Sequence, residues 1–219
     1  RYALESAEML IPIDSVNTRH GKIKYYCLGR IPLWRAQTLY TKEPEMIEWM
    51  DRMKENDILW DIGANVGLYS IYAGKKGVKV FAFEPSALNT FFISKNIELN
   101  KLKDNVFLIP LAVSDKNEFG YLNMSSTEVG GALNEFNAKD LDSVGEGNYK
   151  EEVIFKQGMF SYSSDELIDK YGFEVPDYIK IDVDSIEDRI IYGADKTLSN
   201  PKVKGVYIEL EETEERTQK

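Results

Sequence analysis

The sequence predicts an α/β fold built on a doubly wound, mainly parallel sheet. Three observations carry that prediction. From Asp57 onward, apolar strand-like runs alternate with helix-like runs, the pattern of βαβ units. The run VKVFAF (78–83) is apolar apart from Lys79, as expected of a strand covered on both faces. Between the first strand and the first helix lies a glycine-bearing turn, Asp61-x-Gly63-x-Asn65-x-Gly67.

Taken in order, residues 1–42 read as an N-terminal arm. EMLIPI and KIKYYCL are short strand-like runs flanking NTRHG, a hairpin pattern. The main domain is expected over 43–210. It begins with the helix KEPEMIEWMDRM, where Pro44 suits the first helical position and Met46, Ile47, Met50 and Met53 share one face. DILWDI is a strand, LYSIYAG a helix and VKVFAF a second strand. PSALNTFFISKNIELN is a helix opened by Pro85 and Ser86, and NVFLIPLAV a third strand.

Residues 125–152, rich in Gly, Ser, Asn and acid, read as loop, and EEVIFKQGMF as a further strand at the sheet edge. Ser163 and Glu166 form a capping-box pattern ahead of a short helix ending near Tyr171. DYIKIDV is a fourth core strand. Ser185 and Asp188 repeat the cap spacing, and Ile190, Ile191, Ala194 and Leu198 mark the buried face of one helix. VKGVYIEL is a fifth strand, and 211–219 an acidic tail.

Composition narrows the function. The chain has 219 residues, 43% apolar and 29% charged, enough for one large domain with an arm. Its net charge is −10. Without a basic stripe, such a surface repels phosphate backbones and argues against nucleic acid as the partner. No apolar run reaches the ~18 residues of a membrane span. Cys27 is the only cysteine, which excludes an intrachain disulfide and a cysteine zinc site and is compatible with the cytoplasmic location expected here. His20 is the only histidine; it lies in NTRHG, where a surface position is expected, so histidine-based metal sites and catalysis are set aside.

Three stretches carry chemistry. At the turn Asp61 to Gly67, glycine permits φ > 0 and close approach of a ligand, and the helix behind it offers N–H groups to a negative group. It is not the dinucleotide fingerprint G-x-G-x-x-G, because Asn65 stands where the second glycine belongs. Glu84 ends the second strand, where a carboxylate can accept both ribose hydroxyls of a nucleoside; as a bland alternative it caps the following helix. In YIKIDVDSIEDRII, Lys180, Asp182 and Asp184 alternate along the fourth strand and its exit. A lysine in an apolar strand needs a partner, and Asp182 is the nearest candidate. The group is either a structural ion pair with a cap or a polar floor that orients an acceptor, takes its proton or binds a divalent ion. Glu209 and Glu211, at the end of the fifth strand, could join Asp182 and Asp184 in an oxygen-only Mg²⁺ site; the reading adopted assigns no metal.

In order along residues 38 to 210, KEPE-x-x-x-W (Lys42 to Trp49), DIGANVGLYS, AFEPS, Asn96-x-x-x-Asn100 and IKIDVDSIEDRIIYGADKTL resemble the FkbM family of S-adenosylmethionine-dependent methyltransferases. The resemblance implies a Rossmann-like class I methyltransferase fold. It implies contacts to S-adenosylmethionine from Glu43, Asp61, Gly63, Asn65, Gly67, Glu84, Ser114, Asp115 and Asp182, with Ser114 and Asp115 near the adenine. Lys180 and Asp182 would face the methyl group or the acceptor. Asp182 is the expected base and Lys180 the residue that sets its position. The implied partner is a small-molecule hydroxyl acceptor such as a glycan or polyketide.

This chain departs from the family in having Ser185 where glycine is usual, and in having too few residues after the fifth strand for the usual C-terminal hairpin. The rival readings are an NAD-dependent oxidoreductase and a catalytically silent nucleoside-binding module. Tyr25, Tyr26, Trp34 and the loop at Gly130 and Gly131 are the expected readers of the acceptor.

Overall fold

Leu59 and Trp60 are adjacent in sequence and both fully buried, yet they belong to different apolar clusters. That is the mark of a strand covered on both faces. The computed structural model describes residues 10–145 and 150–209; the acidic tail 211–219, Glu211 included, lies outside them.

The chain opens with a hairpin, β1 (Ile13–Thr18) and β2 (Gly21–Tyr26), then α1 (Arg30–Gln37) and α2 (Pro44–Asp51). The alternating unit follows as β3 (Ile58–Ile62), α3 (Leu68–Lys76), β4 (Lys79–Phe83), α4 (Ala87–Asn100) and β5 (Val106–Ile109). Next come β6 (Ala112–Val113), β7 (Glu118–Met124), β8 (Asn134–Asn137), β9 (Ser143–Val144), β10 (Glu151–Glu152) and β11 (Phe155–Tyr162). The chain then runs through α5 (Ser164–Asp169), β12 (Tyr178–Ile181), α6 (Glu187–Tyr192), α7 (Asp195–Leu198) and β13 (Gly205–Ile208).

The five expected core strands form one parallel sheet in the order β13-β12-β3-β4-β5. The chain winds outward from β3 through β4 and β5, then returns to β12 on the other side. The carboxyl ends of β3 and β12 therefore flank the point where winding reverses, the place where open α/β sheets hold ligands. One face carries Leu59, Val80 and Ala82 against α2, α3, α4 and the arm. The other carries Trp60, Ile62 and Phe83 against α5, α6 and residues of a second sheet.

That second sheet corrects the expected middle. β6-β11-β7-β8 is a four-stranded sheet in which β6 and β11 are parallel and the rest antiparallel. The run 105–113 is two strands, not one, because the chain turns at Pro110, which has no N–H to give a ladder. EEVIFKQGMF contributes to an inner strand of the second sheet rather than to the edge of the first. The loop expected over 125–152 contains β8, β9 and β10.

The hairpin also starts later than EMLIPI suggested, at Ile13, and α1 had no forecast. The arm is bound to the domain by side-chain amides. Asn96 and Asn100, one turn apart on α4, accept the N–H groups of Tyr26 and Lys24 at 2.8 and 2.9 Å, and Asn100 returns a bond to the Lys24 carbonyl at 2.7 Å. They satisfy backbone groups on one edge of β2 that burial would otherwise leave unpaired. His20 is not free at the surface: it meets Asp51 at 3.2 Å and packs edge-on against Tyr72.

The helix expected over 185–198 is two short ones with Gly193 between them. A Cβ at Gly193 would lie 2.2 Å from the Ser114 carbonyl, so this corner needs glycine. Ser185 does not cap: the N-cap is Ile186 without a side-chain bond, and Ser185 sits at φ 90°. Glycine adopts that angle without a steric cost. Among the described residues no helix is long and apolar enough to cross a membrane.

Candidate functional site

The turn after β3 has left-handed backbone at Gly63 (φ 81°), Asn65 (φ 52°) and Gly67 (φ 81°). Asparagine tolerates that region better than most residues. The turn's own amides are taken up within the fold. Gly63 and Ala64 donate to the Phe83 carbonyl at 3.0 Å, Asn65 to Glu84 Oε2 at 2.7 Å, Val66 to Asn65 Oδ1 and Gly67 to the Ala64 carbonyl. The turn spends its N–H groups on the neighbouring strand and on itself. Gly63 is there because the strands are close: a Cβ would lie 1.9 Å from the Asp182 carbonyl. Gly63→Ala is expected to cost more than about 2 kcal/mol, roughly 4–8 °C in melting temperature by scanning calorimetry. An unchanged transition would mean β3 and β12 can part at no cost.

Glu84 is 5% exposed. Its Oε1 accepts from the Ser86 amide at 2.8 Å and from Asn89 Nδ2 at 3.4 Å, and its Oε2 from Asn65. Burial pushes its pKa up to about 7, although these bonds pull the other way. The expected cap belongs instead to Ser86, whose hydroxyl accepts from the Asn89 amide.

Lys180 is 1% exposed and sits between two carboxylates, Asp61 at 3.2 Å and Asp182 at 2.9 Å. It also donates to the Gly63 carbonyl at 3.3 Å. Burial alone would lower its pKa, but Asp182 and Asp61 hold it above the ordinary lysine value. Asp61, fully buried, accepts the Ser70 hydroxyl at 2.5 Å. Asp182 is the member that reaches out, with 32% of its side chain exposed. Burial favours its neutral form, yet the Lys180 ammonium keeps its pKa below the usual carboxylate range.

Two cavities meet at this point. The first, of about 570 Å³, is walled by Phe83, Leu111, Val113 and Ile186, with Glu84 and Asn65 on its rim. Apolar walls and a few convergent polar groups are the usual make-up of a ligand site. The second, of about 780 Å³, is polar and lined by Arg35, Lys42, Asp182, Asp184, Glu187 and Glu209. Gly63, Asn65 and Asp182 border both. The first fits a nucleoside on an observation of its own: a buried carboxylate at an apolar slot, held by neutral donors rather than by a cation, suits two vicinal hydroxyls.

Of the residues nominated from sequence, Gly63, Asn65, Glu84 and Asp182 thus come together at the cavities. Asp61, Gly67, Lys180, Glu43, Ser114 and Asp115 line neither. Lys180 lies beneath Asp182, its ammonium pinned to Asp61 on the adjacent strand. Glu43 pairs with Lys42 and accepts the Tyr69 hydroxyl at 3.0 Å. Ser114 bonds Asp115, which grips Arg189 at 2.7 Å, and Leu111, Ala112 and Val113 form the wall in their place.

Among the expected acceptor readers, Tyr25 is buried and bonded to the Leu68 carbonyl. Tyr26 stacks edge-on with Phe92. Trp34 is exposed, while the arm residues that reach the second cavity are Lys42 and, one position on from Trp34, Arg35. The Arg35 Nε and Nη2 hold the Gly130 carbonyl at 3.0 and 2.8 Å. Gly130 and Gly131 are further tied to Asn89 and Asn65. Nothing local in the sequence marks Arg35 or Asn89, since both act through contacts with distant segments.

Residues 61–219 match the family model described as the methyltransferase FkbM domain. The tRNA (guanine(37)-N(1))-methyltransferase of Leishmania major is 32% identical over 104 residues, 48% of this chain and 14% of that protein. Hexuronic acid methyltransferase AglP of Haloferax volcanii is 24% identical over 168 residues, 77% of this chain and 62% of AglP. Methyltransferase sdnD of Sordaria araneosa is 27% identical over 196 residues, 80% of this chain and 74% of sdnD. The chain thus spans under two thirds of the first two relatives. A solved precorrin-6Y C5,15-methyltransferase from Geobacter metallireducens aligns over 84% of this chain and 70% of its own, at 17% identity and a TM-score of 0.46.

Proposed function

Because this chain belongs to the FkbM methyltransferase family, we propose that it methylates a hydroxyl on a sugar, polyketide or other small molecule, using S-adenosylmethionine. The observation that carries this reading is the meeting of the two cavities at Asp182, an apolar slot lined by the buried Glu84 beside a polar chamber. The hexuronic acid in the name of AglP, matched over most of this chain, favours a small-molecule acceptor. The likeness to the tRNA enzyme covers 48% of this chain, whose charge of −10 suits a phosphate backbone poorly.

S-adenosylmethionine supplies a methyl group already activated by its sulfonium charge. The protein's task is then chiefly alignment. Glu84 accepts the ribose hydroxyls, and Phe83, Leu111, Val113 and Ile186 enclose the base. Gly63 and Asn65 border the junction with the acceptor chamber. Asp182 orients the acceptor hydroxyl and takes its proton, while Lys180 and Asp61 beneath it fix its position and keep it ionised.

Calorimetry with S-adenosylhomocysteine and NAD tests the donor, and methyl transfer to a panel of hexuronic acids and other hydroxylated small molecules tests the acceptor. Binding of S-adenosylhomocysteine and O-methylated products by mass spectrometry are expected. NAD binding alone, or binding without turnover on any acceptor, would replace this reading with one of its rivals.

The Glu84 assignment has a pH signature. Ribose hydroxyls donate to the carboxylate, so binding favours the ionised form and releases a proton where free Glu84 is protonated, below about 7. Affinity for S-adenosylhomocysteine should rise about 30-fold from pH ~5.5 to ~8 and level off. Glu84→Gln should bind more weakly at every pH and lose the slope. A slope that survives the substitution belongs to another group.

A further inference from the structure

We infer that Glu209 is a second proton-handling residue, forming with Asp182 a two-carboxyl relay that carries the acceptor's proton to solvent. The inference rests on Asp182 being the base, as proposed above. Ile181 and Ile208 are partners in the parallel pairing of β12 with β13, and the Glu209 amide donates to the Ile181 carbonyl at 3.0 Å. Asp182 and Glu209 therefore leave the sheet edge side by side, and both line the polar chamber.

Their carboxyl groups lie close enough to share a hydrogen bond. Two carboxylates cannot share such a bond unless the pair holds a proton. Lys180 decides where it sits. The ammonium at 2.9 Å holds Asp182 as the carboxylate, which leaves the proton on Glu209. The other groups facing Glu209 are Lys42, Glu43, Tyr69 and Tyr207. Glu209 is exposed as a residue, but desolvation of its carboxyl at the chamber, then the Asp182 charge, pushes that carboxyl up to about 7, near the operating range of a proton carrier.

The step balances with this single pair. As the acceptor oxygen forms its bond to the methyl carbon, the S–C electron pair returns to sulfur and the O–H proton passes to Asp182. Glu209 gives its own proton to solvent and takes up the one from Asp182, which restores the base.

Glu209→Gln keeps the hydrogen bond to Asp182 but cannot exchange a proton. In the full chain bound to S-adenosylhomocysteine, ¹³C NMR of labelled Asp and Glu carboxyl carbons should show one carbon titrating near 7 with Asp182 following it. In Glu209→Gln both titrations should vanish, with S-adenosylhomocysteine affinity within twofold of wild type. On an acceptor that wild type methylates, the variant should lose the rise of kcat through pH ~7 and fall about tenfold in kcat at pH ~8, while kcat/KM, which ends at methyl transfer, holds. If the Asp182 titration and the kinetic rise both persist in Glu209→Gln, the relay is wrong. If Asp182→Asn turns over like wild type, the base assignment is wrong. An inactive Asp182→Asn beside an unaltered Glu209→Gln overturns the relay alone.

Discussion

Replacing Lys180 with methionine is expected to destabilise the fold by about 3–5 kcal/mol, a large part of a domain's total stability. The reason lies in what the substitution leaves behind. Asp61 is fully buried, and its Oδ1 faces the ammonium at 3.2 Å. Its other oxygen receives only the Ser70 hydroxyl. Without the cation, a carboxylate remains in the core with a single neutral donor, and Asp182 loses its partner as well.

Urea unfolding of Lys180→Met beside wild type should show this loss. Lys180→Met with Asp61→Asn should recover part of it, because the pair is then removed together. A deficit below about 1 kcal/mol would mean that the ion pair with Asp61 contributes little to the fold.

The contrast between Asp182 and Asp61 shows what the sequence could convey. Side chains two apart on a strand share a face, so the pairing of Lys180 with Asp182 was readable from spacing. The pairing with Asp61 was not, because it needs β12 beside β3 with Lys180 opposite Asp61, across 119 positions of chain. The parallel strands were legible because burial on both faces demands near-continuous apolar runs. The same rule hid the break at Pro110, since Leu108, Ile109, Leu111 and Ala112 stay apolar across it while the chain leaves one sheet for another.

The second sheet was hidden for a different reason. Its outer face carries exposed Phe119 and Phe160, so FGYLNM shows no clean alternation of apolar and polar residues. The glycine turn was located correctly, but the partners of its own amides, the Phe83 carbonyl and the Glu84 carboxylate, were not legible because they belong to the neighbouring strand and its exit.

Asp182→Asn is expected to lower kcat by two to four orders of magnitude on any hydroxyl that the wild type methylates, the usual worth of a positioned general base. The substitution isolates chemistry from architecture better than removal of Lys180 does. Asparagine keeps the shape and an oxygen that can face the ammonium, and the carboxylate it replaces is one third exposed, so a stability loss well below that of Lys180→Met is expected. Glu84 lies across the first cavity and keeps its own three donors, so S-adenosylhomocysteine affinity should stay close to wild type.

The predicted result is therefore a split: kcat collapses while donor binding and the melting transition barely move. It also separates two ways in which the Lys180 network could matter. If Asp182 serves only to seat Lys180, the asparagine variant should lose stability and keep its turnover. If Asp182 takes the proton, turnover is lost and stability is kept. Single-turnover kinetics with preloaded S-adenosylmethionine would show which, because they report methyl transfer apart from donor binding and product release.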